Sequence, residues 1–316
     1  MKDLTIGVHM LSRDGKGAVE QIRQAEQWGV DVAWMTCGGV APDPLAVFSA
    51  AAMQTDRIEF GTCIIPTFPR HPMALAQEAI VVDSLAPGRL RLGVGPSHEP
   101  AMRNTWGLDF TRPLEHLREY VTILNQCFKD GKVSFQGKRL HAEAQFAAPA
   151  DVRVMVSALR HKAFSLAGEL TEGGISRVTP PEHIRDVAVP ALKEGAAKAG
   201  RDTVPPAIVH APVIVSTDTE AVYQQAVQQV GFYQRLPFYE AMWVEAGYEE
   251  AKGEEFTRRM FEGLIIHGDE QQVADRIRGL KDYGAGEIIA MPLLLQNDRQ
   301  ARDRTVKLMG ELAKGD

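Results

Sequence analysis

Histidine, threonine, cysteine and glycine stand in this chain where short apolar runs give way to polar tips, and those are positions where chemistry can be done. The run at 4–9 closes on His9, the run at 30–35 precedes Thr36 and Cys37, and the run at 90–94 leads through Gly93 and Gly95 to Ser97, His98 and Glu99. An imidazole can move a proton near neutral pH, and a hydroxyl or thiol can hydrogen-bond a reacting atom. The glycines offer something different, because backbone without side chains can approach a phosphate or a flat ring. Farther on, Ser157, Ala158, Leu159, Arg160, His161 and Lys162 lead into a helical stretch. Free N–H groups, the positive end of the helix dipole and cationic side chains suit a phosphate there; the alternative is a solvated basic helix start.

Other chemistries lack their residues. The segment from Gly95 to Glu99 has no closing glycine for a nucleophile elbow, and Gly93-Val94-Gly95 lacks the third glycine and the spaced acid of a dinucleotide fingerprint. His98-Glu99 has no second histidine at helical spacing, so no metal site is expected. Cys63 has no basic partner beside it in sequence that would make it a nucleophile.

These residues need a scaffold that brings strand ends together. Apolar runs at 4–9, 30–35, 58–64, 90–94, 152–157, 174–178, 207–215 and 287–291 give eight expected strands. Helical patterns lie between them at 18–28, 44–55, 72–85, 113–129, 162–170, 181–199, through a long region at 219–283, and at 298–313. Residues 57–100 form a parallel βαβ unit in which Pro72 opens the helix and Leu85-Ala86-Pro87-Gly88 stops it. Continuous apolar strands require cover on both faces, and eight βα steps favour an α/β fold of the closed (β/α)8 TIM barrel class, with the strand carboxyl ends gathered at one mouth. A small hairpin insertion is expected at 133–140 and a helical insertion at 232–261 before the last strand. The latter carries an aromatic band, Phe232, Tyr233, Leu236, Phe238, Tyr239, Met242 and Trp243, that either packs on the barrel or another subunit or walls a substrate. The charged run Asp109, Arg112, Glu115, His116, Arg118 and Glu119 reads mostly as a solvated helix face, with Arg112 nearest the mouth.

The 316 residues suit one barrel domain over 1–316, and 24% charged with 45% hydrophobic residues is ordinary globular composition. A net charge of −6 argues against nucleic-acid binding. Cys37, Cys63 and Cys127 are too few and too scattered for a disulfide framework, and the apolar segment after Met1 reads as a strand rather than a signal peptide. A cytoplasmic protein with no membrane partner is expected.

The segments GTCIIPTFPRHP, LAQEAIVVDSLAPGRLRLGVG and WGLDFTRPLEHLREYVTIL resemble the bacterial luciferase-like superfamily of flavin and deazaflavin oxidoreductases, and within it the coenzyme F420-dependent branch. The likeness continues through VMVSALRHKAFSLAGELTEGG, AAKAGRD and HGDEQQVADRIRGLKDYGAGEII, over almost the whole chain. It implies a barrel binding coenzyme F420, or alternatively FMN, at the strand carboxyl ends. Cofactor-binding positions carried over by the resemblance are Thr62, Cys63 and Ile64, with a cis bond between the last two under one face of the ring; Gly93, Gly95 and Ser97 beside the ribityl chain; and the segment from Ser157 to Lys162 around the phosphate. Two departures matter. Pro96 stands where luciferase has a phosphate-binding arginine, and Arg160-His161 replaces the Gly-Pro of most relatives in the branch. Where relatives carry a histidine or acid after strand two, this chain has Thr36-Cys37-Gly38, which makes His9, with Cys37 nearby, the expected proton donor or substrate anchor. The implied activity is hydride transfer between reduced F420 and a small organic molecule; the alternatives are an FMN-dependent monooxygenase and a non-catalytic flavin-binding protein. A homodimer through the outer helices near strands two to four is also implied, with the 232–261 insertion as a lid.

Overall fold

The computed structural model describes residues 4–39, 41–298 and 300–315. The expectations for the segment directly after Met1 and for a helix through position 299 fall partly outside these residues.

Eight strands make the barrel: β1 (Thr5–His9), β2 (Val32–Met35), β3 (Glu59–Thr62), β4 (Leu90–Gly95), β5 (Arg153–Ser157), β6 (Gly174–Arg177), β7 (Ala207–Val215) and β8 (Ala285–Pro292). Each pairs in parallel with its sequence neighbour, and β8 pairs with β1 (Thr5 opposite Glu287, Gly7 opposite Ile289), which closes the cylinder. A short edge strand, Ile266–Gly268, adds to the outer end of β7. All nine residues of β7 are buried, as cover on both faces demands. The glycine-rich β6 forms despite poor propensity because it is pinned between β5 and β7.

Side chains fill the interior in layers. At the strand starts Arg91 bonds both Glu59 and Glu287, and Arg153 reaches Glu59 at 2.8 Å. Above them Trp34 lies fully buried with Met155, Ile175, Ile208 and Ile289. His9, Arg177 and His210 come next, toward the mouth.

Local rules set the outer helices. Pro72–Leu85 begins where the proline placed it, with the His71 ring accepting from the Met73 N–H at 3.2 Å. Pro44–Ala52 is capped by the Asp43 carboxylate. The expected strand at 58–64 is interrupted: it stops at Thr62 and resumes as Ile65–Pro66 against Val94 and Gly95.

Both insertions are present. The hairpin pairs Lys132–Gln136 with His141–Gln145, slightly wider than the sequence pattern, and the region before β8 is a chain of short helices, Gly231–Arg235, Pro237–Glu245, Glu249–Lys252 and Arg258–Leu264. The solvated-face reading of the charged run is corrected at two positions. His116 and Glu119 are buried. The His116 ring stacks on Phe68 at 4.2 Å, while both oxygens of Glu119 accept backbone N–H groups from the hairpin turn, those of Lys138, Arg139 and Leu140, each at 2.9 Å. Arg112, read as nearest the mouth, is exposed and pairs with Glu115 at 3.4 Å outside the cavity wall.

Burial alone would raise the Glu119 carboxyl, and the three turn N–H groups outweigh it, holding it below the ordinary value. A depressed carboxyl stabilises the fold above its unfolded pKa and loses that contribution as pH falls through its folded one. Replacing Glu119 by alanine should therefore cost about 1–3 kcal/mol at neutral pH and speed amide exchange in the hairpin before the barrel. Unaltered exchange at residues 138–140 would show that the turn holds itself.

Candidate functional site

A cavity of about 950 Å³ opens at the carboxyl ends of the strands. Of the residues singled out from sequence, Cys37, Cys63, Ile64, Ser97, Ser157, Leu159, Arg160, His161 and Lys162 line it, and so do Thr36 and His98. His9, Thr62, Gly93, Gly95 and Ala158 do not; they lie behind this wall. Gly93 and Gly95 are small because the barrel is tight: a Cβ on Gly93 would sit 2.0 Å from the Thr62 carbonyl oxygen, and one on Gly95 2.1 Å from the Ser157 hydroxyl. Thr62 turns its own hydroxyl to the Gly93 carbonyl at 2.7 Å.

One wall is the break after β3. The peptide bond between Cys63 and Ile64 is cis, as the resemblance implied. Its backbone is fixed from three sides: the Cys63 N–H donates to Met35 O at 2.8 Å, the Cys37 N–H to Ile64 O at 3.2 Å, and the Thr36 hydroxyl to Cys63 O at 2.9 Å. The Thr36 oxygen is also 3.0 Å from Nε2 of His9. Because threonine has a single hydroxyl hydrogen and Cys63 O receives it, His9 Nε2 must be the donor, which leaves Nδ1 unprotonated. That nitrogen is buried without a partner. Burial, reinforced by the Arg177 charge, pushes the His9 pKa down to about 3, so the ring is neutral at physiological pH. Burial pushes the Cys63 thiol up to about 11, and the Cys37 thiol is raised by burial and by Asp43. Neither is a ready thiolate.

The opposite side holds residues that the strand pattern alone did not single out. Arg177, last residue of β6, places Nε 2.5 Å from the Tyr233 hydroxyl, Nη1 3.1 Å from Nδ1 of His210, and Nη2 3.3 Å from the Met291 sulfur. Since the guanidinium only donates, Nδ1 of His210 is an acceptor. Burial and the neighbouring Arg177 hold His210 well below the usual imidazole range, and His98 is lowered by the same two causes. The signals were a cation ending a small-residue strand and a histidine inside an apolar one.

The helix His161–Leu170 begins at the rim with no side chain capping its first turn. Arg160 is half-exposed there, 3.8 Å from Glu245, and His161 lies 3.0 Å from Glu194. The two readings of the aromatic band both apply, to different residues. Phe232, Tyr233, Phe238 and Tyr239 line the cavity, whereas Met242 and Trp243 pack on the barrel, with the indole donating to Val178 O at 2.8 Å. A helix at Glu99–Trp106, absent from the sequence pattern, supplies Met102 and Trp106 to the wall. Among the described residues no group of three or more His, Cys, Asp or Glu could hold a metal ion, and no helix is long and apolar enough to cross a membrane.

The family model for luciferase-like monooxygenases matches residues 6–287. A protein of Microbacterium testaceum, F420-dependent glucose-6-phosphate dehydrogenase, is 33% identical over 176 residues, 53% of this chain and 52% of that protein, so the match spans about half of the relative's length. Coenzyme F420-dependent tetrahydromethanopterin reductase from Methanopyrus kandleri has the same fold at 21% identity, with a TM-score of 0.80 and 98% of both chains covered. So does the oxygenating constituent of 3,6-diketocamphane monooxygenase from Pseudomonas putida, solved with FMN: 17% identity, TM-score 0.77, covering 98% of this chain and 97% of that one.

Proposed function

Because the chain belongs to the luciferase-like monooxygenase family, we propose that it is an oxidoreductase whose mouth cavity holds a deazaflavin of the F420 type and a small organic substrate together. The observation that carries this reading is the pairing of the hydrogen-bonded backbone break after β3 at Cys63–Ile64 with an uncapped, cation-flanked helix start at Arg160–Lys162 in one cavity of about 950 Å³. That volume admits a tricyclic ring and a substrate. When bound, a deazaflavin supplies two-electron hydride chemistry, and FMN would add oxygen activation.

The chain's own residues would orient, desolvate and protonate. Cys63 and Ile64 offer the ring one face, held by Thr36, and His9 acts through Thr36 as a positioning residue. The first-turn N–H groups of the helix at His161, with Arg160 and Lys162, suit the cofactor phosphate. His98 reaches the cavity with its imidazole lowered by burial and by Arg177, so we assign it as the base that accepts a proton from the substrate and returns it in the reverse direction. Phe232 and Phe238, half-exposed on the short helices at 232–261, would close over the substrate as a lid and exclude water.

The test is the cofactor itself. Protein made in a host that synthesises both FMN and F420 should retain a species with the mass and absorbance of F420. Retention of FMN alone would move the assignment to the monooxygenase reading, and retention of neither would overturn the site. Arg160→Ala should weaken retention by about 1 kcal/mol, at the low end for a charge-assisted contact because the side chain is half-exposed and shared with Glu245. Unchanged affinity in low-salt titration would remove Arg160 from the phosphate site.

A further inference from the structure

Arg177 is a part-buried cation on the cavity wall, and among the described residues no carboxylate lies within ion-pair distance of it. Its protein partners are a phenol, a neutral imidazole nitrogen and a thioether. A thioether is a weak acceptor, so Nη2 is poorly satisfied, and a desolvated guanidinium in that state favours an anion. Tyr233 accepts from Arg177 Nε, which leaves its own O–H free to donate from the same wall. His9 and His210 are held neutral, so they do not supply a second positive charge. Arg177 ends β6, whereas the cations at Arg160 and Lys162 flank the helix after β5. The cavity lining also includes the apolar side chains of Ile175, Met102, Leu114, Phe232 and Phe238.

We propose that Arg177 and Tyr233 form the anchor for the carboxylate of an apolar substrate, so that this enzyme acts on carboxylate-bearing compounds with an aromatic or branched body. The inference rests on the oxidoreductase reading of the cavity. It also accounts for the uncharged company Arg177 keeps, a phenol, an imidazole and a thioether: a protein carboxylate among them would neutralise the anchor and repel the substrate. A carboxylate oxygen would take up the Nη2 donor that Met291 leaves poorly satisfied.

The test uses calorimetric titration of the protein as isolated, with whatever cofactor it retains, and benzoate and benzamide as probes of equal shape and different charge. Benzoate is expected to bind at least about tenfold more tightly than benzamide. R177M should lose that preference, R177K should keep part of it because the charge remains without the fork, and Y233F should weaken benzoate binding severalfold. Equal affinities for the two probes in the unaltered protein overturn the proposal, and this comparison needs no variant to fold. Benzoate binding unchanged in R177M, with an unchanged melting temperature, overturns it as well. So does loss of retained cofactor in R177M with benzoate preference intact, since that places Arg177 on the cofactor. Cofactor mass and absorbance are scored on the same samples, so absence of any flavin or deazaflavin would be seen as failure of the oxidoreductase reading, separately from the probe preference.

Discussion

Replacing Arg91 by methionine is expected to destabilise the protein by about 3–5 kcal/mol, because it strands a buried carboxylate without its partner. Arg91 on β4 bonds Glu59 on β3 and Glu287 on β8, so one guanidinium ties together strands on opposite sides of the barrel floor. The Glu287 side chain is 3% exposed; Arg91 bonds its Oε2, and its Oε1 is buried without a partner. Burial pushes the Glu287 carboxyl up to about 7, with Arg91 pulling against that rise. A folded pKa above the unfolded one gives a contribution fully present below the ordinary value of 4.5 and lost as pH climbs through about 7. Without Arg91 the rise is larger, so the variant's deficit should open as pH climbs past about 7 and be larger at about pH 8 than at about pH 5. Adding E287L to R91M should recover much of the loss, since an apolar pair removes the charge that was stranded. Denaturant titrations at both pH values read all of this. A deficit below about 1 kcal/mol, or one independent of pH, would mean that water reaches Glu287 and the floor is not a dry ionic layer.

The barrel was legible because its signals are local. Pro72 and the apolar spacing behind it mark a helix that begins and ends where expected, at Pro72 and Leu85, and β7 is visible as an unbroken apolar run. The cavity was legible only in part. Strand ends pointed to Thr36, Cys63, His98 and Arg160, all of which line it, but periodicity reports how a strand is buried and not what an unusual residue meets across the barrel. Arg177 finds Tyr233 and Met291 far along the chain. A cation ending the small-residue strand β6 is a signal that something unusual stands there, but it does not say which partners the cation meets. Glu119 failed for a related reason: in a run of charges it looks solvated, and only the hairpin folding back supplies the N–H groups that let a carboxylate be buried. His9 was found by position, yet its tautomer and its distance from the cavity surface depend on Thr36 and on the break after β3, which are tertiary facts.

Gly61→Ala is expected to cost about 1–3 kcal/mol or more, and the cost should nearly vanish in a protein that also carries Trp34→Ala. A Cβ on Gly61 would stand 2.3 Å from Cε3 and 2.4 Å from Cδ2 of the Trp34 indole, and one on Gly7 2.4 Å from its Nε1. The ring thus lies flat between two strands that have given up their side chains for it. It cannot swing away, being fully buried in a layer with Met155, Ile175, Ile208 and Ile289. Trp34→Ala alone should cost about 3–5 kcal/mol by opening a cavity, and the added methyl of Gly61→Ala would then enter that space instead of colliding. The two changes must couple with opposite sign to their separate effects, which a double-mutant cycle measures directly. The consequence reaches the site through one residue of backbone. Gly61 precedes Thr62, whose hydroxyl holds the Gly93 carbonyl, and Cys63, whose N–H holds Met35 O. A displaced Gly61 therefore moves the backbone at Cys63–Ile64, so if the proposed cofactor site is right G61A should lose retained cofactor at temperatures where it is still folded. Additive stability losses in the cycle would show that Trp34 yields to the methyl, and that this backbone does not depend on the ring beneath it.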